Sequence, residues 1–230
     1  MTDQNDQKNN FLEINLNTQC VEETVKTGNL NFLKNQHNCL LNEQTIVLNE
    51  QTCANAAMYG HLHVLQWLRA NKCPWDELTC VRAAAHGHLH VLEWAHKEGC
   101  PWSTLTCKYA AENGHLHVLQ WLHEHNCLWD NKSICDDAAY GGYLHILEWA
   151  QQNGSSELNI ITCAMAASGG HLHVLKWLRE HNCPWDARTC KYAARKGHLH
   201  ILKWAIKNGC PHDFTTFDGI PTIAFGGRHY

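Results

Sequence analysis

Histidines recur in His-x-His pairs at His61/His63, His88/His90, His115/His117, His171/His173 and His198/His200, with 13 cysteines distributed among them. Both residue types ligate zinc, and a thiolate beside an imidazole is also a common nucleophile–base couple. The strong zinc signature is a C-x2-C knuckle with two further ligands, and no such knuckle occurs. If each copy of the pattern forms one packed layer, equivalent residues stand about 8 to 10 Å apart, too far to share one tetrahedral ion. The first His of each pair is therefore expected to bond turn backbone, with the second partly exposed. A Cys/His metal-binding repeat protein is the alternative reading.

The cysteines admit a second chemistry, because Cys73/Cys80, Cys100/Cys107, Cys127/Cys135 and Cys183/Cys190 lie close in sequence. By the same spacing Cys163 would need Ser155 as its mate, and Cys210 would face Phe217. An obligate pair does not lose one member freely, so reduced, buried, apolar thiols are expected. No G-x-S-x-G, phosphate loop, H-E-x-x-H or paired-carboxylate setting is present. Neither catalytic residues nor a cofactor are expected, and the chain is not read as an enzyme.

These side chains are carried by an internal repeat. A block reading T-C-x-x-A-A-x-x-G-H-L-H-V-L-x-W-[LA], then C-P-W-D after a few residues, recurs six times. Its first Cys falls at Cys53, Cys80, Cys107, Cys135, Cys163 and Cys190, in steps of 27, 27, 28, 28 and 27 residues. Upstream, Cys20, Gly28, Leu30, Leu33, Cys39 and Asn42 echo the order in degraded form. Asp76, Ser103, Asp130, Asn159, Asp186 and Asp213 are expected N-caps of a helix A. Helix A runs through the paired alanines (Ala56-Ala57 in the first block) and stops at Gly60, Gly87, Gly114, Gly142, Gly170 and Gly197. A helix B follows, with Leu62, Leu65, Trp67 and Leu68 on one apolar stripe, and Pro74, Pro101, Pro184 and Pro211 prevent its continuation.

Helices of about ten residues are marginal alone, so stacking must bury their stripes. Trp67, Trp94, Trp121, Trp149, Trp177 and Trp204 of helix B, and Trp75, Trp102, Trp129 and Trp185 of the loops, are expected in the core rather than in a ligand-stacking ladder. Truncating a helix B tryptophan is then expected to cost about 3 to 5 kcal/mol. The chain is divided as follows: residues 1–10 disordered, 11–48 a degenerate N-terminal capping repeat, 49–214 six repeats, and 215–230 an irregular C-terminal cap or tail.

Gly60-His61-Leu62-His63-Val64-Leu65-Gln66-Trp67-Leu68-Arg69 resembles the G-H-L-x-V-V-x-L-L-L of the ankyrin repeat, with Trp67 at a core leucine position. Lys72-Cys73-Pro74-Trp75-Asp76 is similar to its G-A-D-V-N, placing Cys73 at the small alanine and Trp75 at the valine. The resemblance covers residues 17 to 214 approximately. Short repeats of this C-P-W-D kind resemble those abundant in large DNA viruses of amoebae and in some protists. The resemblance implies an all-α, ankyrin-like solenoid of stacked antiparallel helix pairs. It also implies a non-catalytic interaction module or scaffold that binds a protein partner, a host protein if the chain is viral. One departure alters the expected contacts. The ankyrin pattern needs about thirteen residues from capping Asn to Ala-Ala, whereas Asp76 to Ala83 is seven. The missing residues are the β-hairpin finger, and Thr-Cys replaces the T-P-L-H signature. A partner is therefore expected on helix A and the short turns.

Recognition is sought where the copies differ. Flanking the alanine pairs are Asn55, Met58 and Tyr59, then Arg82 and His86, then Tyr109 and Glu112. Asp137 and Tyr140, Met165 and Ser168, and Tyr192 and Arg195 follow in the later blocks. Aromatic, Met and Arg side chains are frequent interface anchors. With Lys+Arg 18 against Asp+Glu 22, the formal charge of -4 argues against a phosphate backbone as partner. No run approaches the roughly 20 apolar residues of a membrane span, and the polar start is unlike a signal peptide. A cytoplasmic monomer is expected, in the host cytoplasm if the chain is viral, with neither nucleic acid nor membrane as partner.

Overall fold

The computed structural model describes residues 21–39, 48–127, 131–153 and 158–212. Residues 1–10, the 215–230 tail, Trp129 and the expected caps Asp130 and Asp213 lie outside that set. The described residues are helical with short connections, and there is no strand among them. None of the described helices is long and apolar enough to cross a membrane. The chain divides into two compact units, Met1–Thr106 and Cys107–Tyr230.

The first unit contains α1 (residues 21–27) and α2 (Leu30–Cys39), in the segment expected to form a capping repeat. Two helix pairs follow: α3 (Glu50–Met58) with α4 (Leu62–Ala70), and α5 (Glu77–Ala85) with α6 (Leu89–Lys97). The division falls within α7 (Thr104–Glu112). The second unit continues with α8 (Leu116–Glu124), α9 (Asn131–Gly141), α10 (Leu144–Gln152), α11 (Ile160–Gly169), α12 (Leu172–Glu180), α13 (Ala187–Arg195) and α14 (Leu199–Lys207). From α3 onward, odd-numbered helices are helix A of a repeat and even-numbered ones helix B.

Caps start the A helices. Asp76 accepts from the Leu78 amide at 3.0 Å and Asp186 from the Arg188 amide at 2.9 Å. Asn49, which the sequence reading passed over, accepts from the Thr52 amide at 3.1 Å, and Thr52 Oγ1 accepts from the Asn49 amide at 3.3 Å. Asn159 and Thr162 form the same reciprocal box, whereas the helices capped by Asp76 and Asp186 show the cap bond without it, Thr79 Oγ1 and Thr189 Oγ1 having no hydrogen-bond partner among the described residues. Helix A ends as expected, with Gly60 at φ +73° and the His61 amide bonded back to the Ala56 carbonyl at 3.0 Å. That pattern is a Schellman motif. Helix B ends by the same device rather than by proline alone. Lys72 (φ 61°) and Asn182 (φ 59°) turn left-handed, and the Cys73 and Cys183 amides bond the Leu68 and Leu178 carbonyls.

Small residues let the A helices lie side by side. In the first unit α3 packs on α5, and in the second α11 packs between α9 and α13. The alanine pairs at these contacts, Ala56-Ala57, Ala83-Ala84, Ala138-Ala139 and Ala166-Ala167, are wholly buried. Each helix B buries its Val-Leu or Ile-Leu pair and the residue three after the Leu, such as Val174, Leu175 and Leu178 or Ile146, Leu147 and Ala150.

The tryptophans depart from expectation: all six on helix B, together with Trp75, Trp102 and Trp185, are only partly buried. Trp67 sits beside the stripe defined by Val64, Leu65 and Leu68, so the indole covers the rim of the layer instead of filling it. Trp75 meets Trp94 edge-on at 5.8 Å between centroids, and Trp185 meets Trp204 at 6.0 Å. Arg69 lies 4.1 Å over Trp75, Arg179 lies 4.3 Å over Trp185, and His96 stacks on Trp102 at 3.9 Å. The faces that a ligand would use are thus occupied by the chain's own cations and rings.

Candidate interaction surface

Exposed side chains stand at both ends of the A helices, Glu50, Glu77 and Leu105 near the starts and Tyr59, His86 and Arg195 at the C-terminal ends. In the first unit Tyr59 and His86 are exposed, while Asn55, Met58 and Arg82 are partly covered. Arg82 Nη1 reaches Met58 Sδ at 3.1 Å, and His86 Nδ1 lies 3.0 Å from the Arg82 carbonyl, drawing three of the variable residues into one cluster. Asn55 accepts a hydrogen bond from Gln51 at 2.7 Å. In the second unit Tyr109, Tyr140 and Arg195 are exposed, and Glu112, Asp137, Met165, Ser168 and Tyr192 are partly covered.

Asp137 is electrostatically unusual. Lys108 stands 3.9 Å away, and one carboxylate oxygen, Oδ2, is buried without a hydrogen-bond donor among the described residues. Burial pushes its pKa up to about 6; Lys108 opposes this, and Glu112 and Asp136 add to it. A folded value above the usual one near 3.8 means that the folded protein binds the extra proton, so stability falls as pH rises through the window between them. The side chain is 18% exposed, which softens the effect. Asp137→Asn is expected to stabilise the protein at pH 7 by about 1 to 2 kcal/mol, with the gain disappearing by about pH 4. Urea melts at both pH values measure this, and a pH-independent difference would count against it.

The turns beside this surface are clamped by the His-x-His pairs. His61 Nε2 donates to the Lys26 carbonyl at 2.9 Å and His63 Nε2 to the Gly28 carbonyl at 2.9 Å. His88 and His90 repeat this on Met58 (3.0 Å) and Gly60 (3.2 Å). In the second unit His173 donates to Gly142 at 3.1 Å and His198 to Ser168 at 3.1 Å. The expectation for the first His is met, on the turn of the preceding repeat. The second His, though exposed, uses the neighbouring glycine carbonyl as well. A Cβ on Gly60 would lie 2.7 Å from His88 Nδ1, so each ring lies flat on a glycine. Tyr143 replaces the first His in one repeat, and its ring covers Gly114 in the same way.

Residues 163–206 match the family model described as ankyrin repeats (many copies). That segment is similar to ankyrin repeats. The crystal structure of the human ASB11 ankyrin repeat domain superposes with a TM-score of 0.53 at 16% identity, covering 69% of this chain and 83% of that one. A comparison with curated proteins finds no match.

In these repeats the cysteines stand differently from the spacing first considered. The eleven cysteines from Cys53 to Cys210 are buried and in no disulfide. The loop thiol approaches the helix A thiol of its own repeat, not that of the next: Cys107 and Cys127 are 3.0 Å apart, and Cys163 and Cys183 are 3.4 Å apart. The adjacency seen along the chain misleads because helix B returns the loop to the start of its own helix A. Each loop sulfur also donates to the carbonyl of the capping residue, as in Cys73 to Asn49 (3.3 Å), Cys100 to Asp76 (3.3 Å) and Cys183 to Asn159 (3.3 Å). No group of three or more His, Cys, Asp or Glu side chains able to hold a metal ion exists among the described residues.

Proposed function

We propose that this chain is a protein-binding ankyrin-repeat module whose partner docks on the A-helix ends and adjoining turns. The carrying observation is where large apolar side chains stay in solvent. Of the five exposed among the described residues, three are the helix A tyrosines Tyr59, Tyr109 and Tyr140, at 37%, 38% and 37% exposure. Ankyrin repeats generally mediate protein–protein interactions. Tyrosine gives a large amphipathic contact for little lost rotamer freedom, and the buried alanine layer behind it holds its backbone rigid. No catalytic or cofactor role enters this reading.

The test is affinity capture with the parent chain, the double variant Tyr109→Ala/Tyr140→Ala, and a control carrying Lys176→Ala and Lys203→Ala on the exposed side of the B helices. Thermal melts first establish that all three fold. Loss of about tenfold or more in affinity for the double variant alone is expected, since two anchors of about 1 kcal/mol or more are removed. Equal loss in the control, or none in the double variant, would move the surface elsewhere.

A further inference from the structure

Five of the six repeats carry two cysteines twenty residues apart: Cys53/Cys73, Cys80/Cys100, Cys107/Cys127, Cys163/Cys183 and Cys190/Cys210. In the remaining repeat Cys135 has Ser155 at that distance. Sulfur meets sulfur at 3.0 Å in Cys107/Cys127 and 3.4 Å in Cys163/Cys183. In Cys53/Cys73 and Cys190/Cys210 the two thiols are near enough to push each other's pKa in opposite directions, up on the helix and down on the loop. A disulfide bond is about 2.05 Å, so the sulfurs of Cys107/Cys127 and Cys163/Cys183 stand about 1 to 1.4 Å beyond bonding distance. Packing as small apolar groups requires neither this mutual approach nor its recurrence.

We propose that these intra-repeat cysteine pairs are sites of reversible oxidation, each closing to a disulfide between helix A and the loop of the same repeat, with a hydroperoxide as oxidant. The two sulfurs have distinct parts. The helix cysteines Cys53, Cys107, Cys163 and Cys190 are fully buried as residues, whereas the loop cysteines range from 1% exposed at Cys73 and Cys183 to 7% at Cys127. The loop residue lies nearer the surface, which makes its sulfur the first in the path of an oxidant. At Cys73 and Cys183 a guanidinium helps: Arg69 and Arg179 each donate Nη1–H to the carbonyl of that same cysteine. The S–H received from the helix thiol and the nearby arginine charge lower the pKa of the loop thiol against the opposing effect of burial, while the helix thiol holds its proton; the loop S–H bond to the cap carbonyl must break as the thiolate forms.

The loop thiolate attacks one peroxide oxygen, the O–O bond breaks, and the departing hydroxide takes a proton to leave as water, giving a sulfenic acid. The helix sulfur then attacks the sulfenic sulfur. The S–S bond forms as the S–O bond breaks, and the helix thiol proton leaves with the hydroxide as a second water. Two thiols and one hydrogen peroxide thus yield one disulfide and two waters. A dithiol reductant reverses the change by thiol–disulfide exchange.

The experiment treats the folded full-length chain with hydrogen peroxide, alkylates the remaining thiols, and maps unreduced peptides by mass spectrometry. Expected are the five cross-links above, each with the loss of two hydrogens and each removed by dithiothreitol, while Cys135 is recovered alkylated. In Cys183→Ser the Cys163 link should vanish and the other four persist. Links between repeats such as Cys73–Cys80 would overturn the proposal, as would sulfinic or sulfonic acids without links, or thiols that stay unreacted at peroxide levels oxidising the denatured chain. A new partner for Cys163 in Cys183→Ser would overturn it too.

Discussion

Gly169→Ala will destabilise the second unit by about 3 kcal/mol or more, although helix propensity by itself favours alanine over glycine by about 1 kcal/mol. Gly169 closes α11, and a Cβ there would lie 2.0 Å from the Tyr140 carbonyl oxygen and 2.7 Å from the His171 ring. The ring could rotate, but the carbonyl is backbone. Relief requires α11 to move away from α9, which opens the buried alanine contact between them. The equivalent residue of the next repeat, Lys196, is exposed, and Lys196→Ala is expected to change stability by no more than about 0.5 kcal/mol. Urea denaturation followed by circular dichroism compares the two. A Gly169→Ala protein as stable as its parent would mean that the turns have slack and that this close approach does not hold the repeats in register.

The second large effect reverses the order that the sequence suggests. Leu175→Ala is expected to cost about 3 to 4 kcal/mol, because the side chain is fully buried between layers and its removal leaves a cavity. Trp177→Ala, two residues along the same helix, is expected to cost about 2 kcal/mol. The indole is larger but partly exposed and stacked on His181 at 4.0 Å, so water enters the space it leaves. Stability in a stacked repeat is shared with nearest neighbours, and the Leu175 variant should therefore also loosen α14 and α10, visible as faster amide exchange there. A Trp177 loss larger than the Leu175 loss would restore the tryptophans to the core.

Much of the local structure was legible because it depends on a few residues close in sequence. Asp76, Asn159 and Asp186 cap helices as their types suggest, and the glycines after each alanine pair adopt the left-handed backbone that ends helix A. Asn49, three residues before Thr52, obeys the same capping rule. The candidate surface was legible in part. Tyr59, Tyr109, Tyr140, His86 and Arg195 do stand in solvent, whereas Asn55, Met58, Arg82, Glu112, Asp137, Met165 and Tyr192 are partly covered by their neighbours.

The sequence by itself determined the repeat, its helix boundaries, the small-residue layer and the ankyrin resemblance, since these follow from period, capping chemistry and side-chain size. Tertiary structure decided what the chemistry-bearing residues touch. His63 reaches Gly28 and Cys183 reaches Cys163 across 35 and 20 residues. Both partners are set by how one helix folds back on another and by which turn stacks above which. The tryptophans carry the same lesson: their spacing puts them near the apolar stripe, but the distance between packed layers decides how much of an indole fits inside.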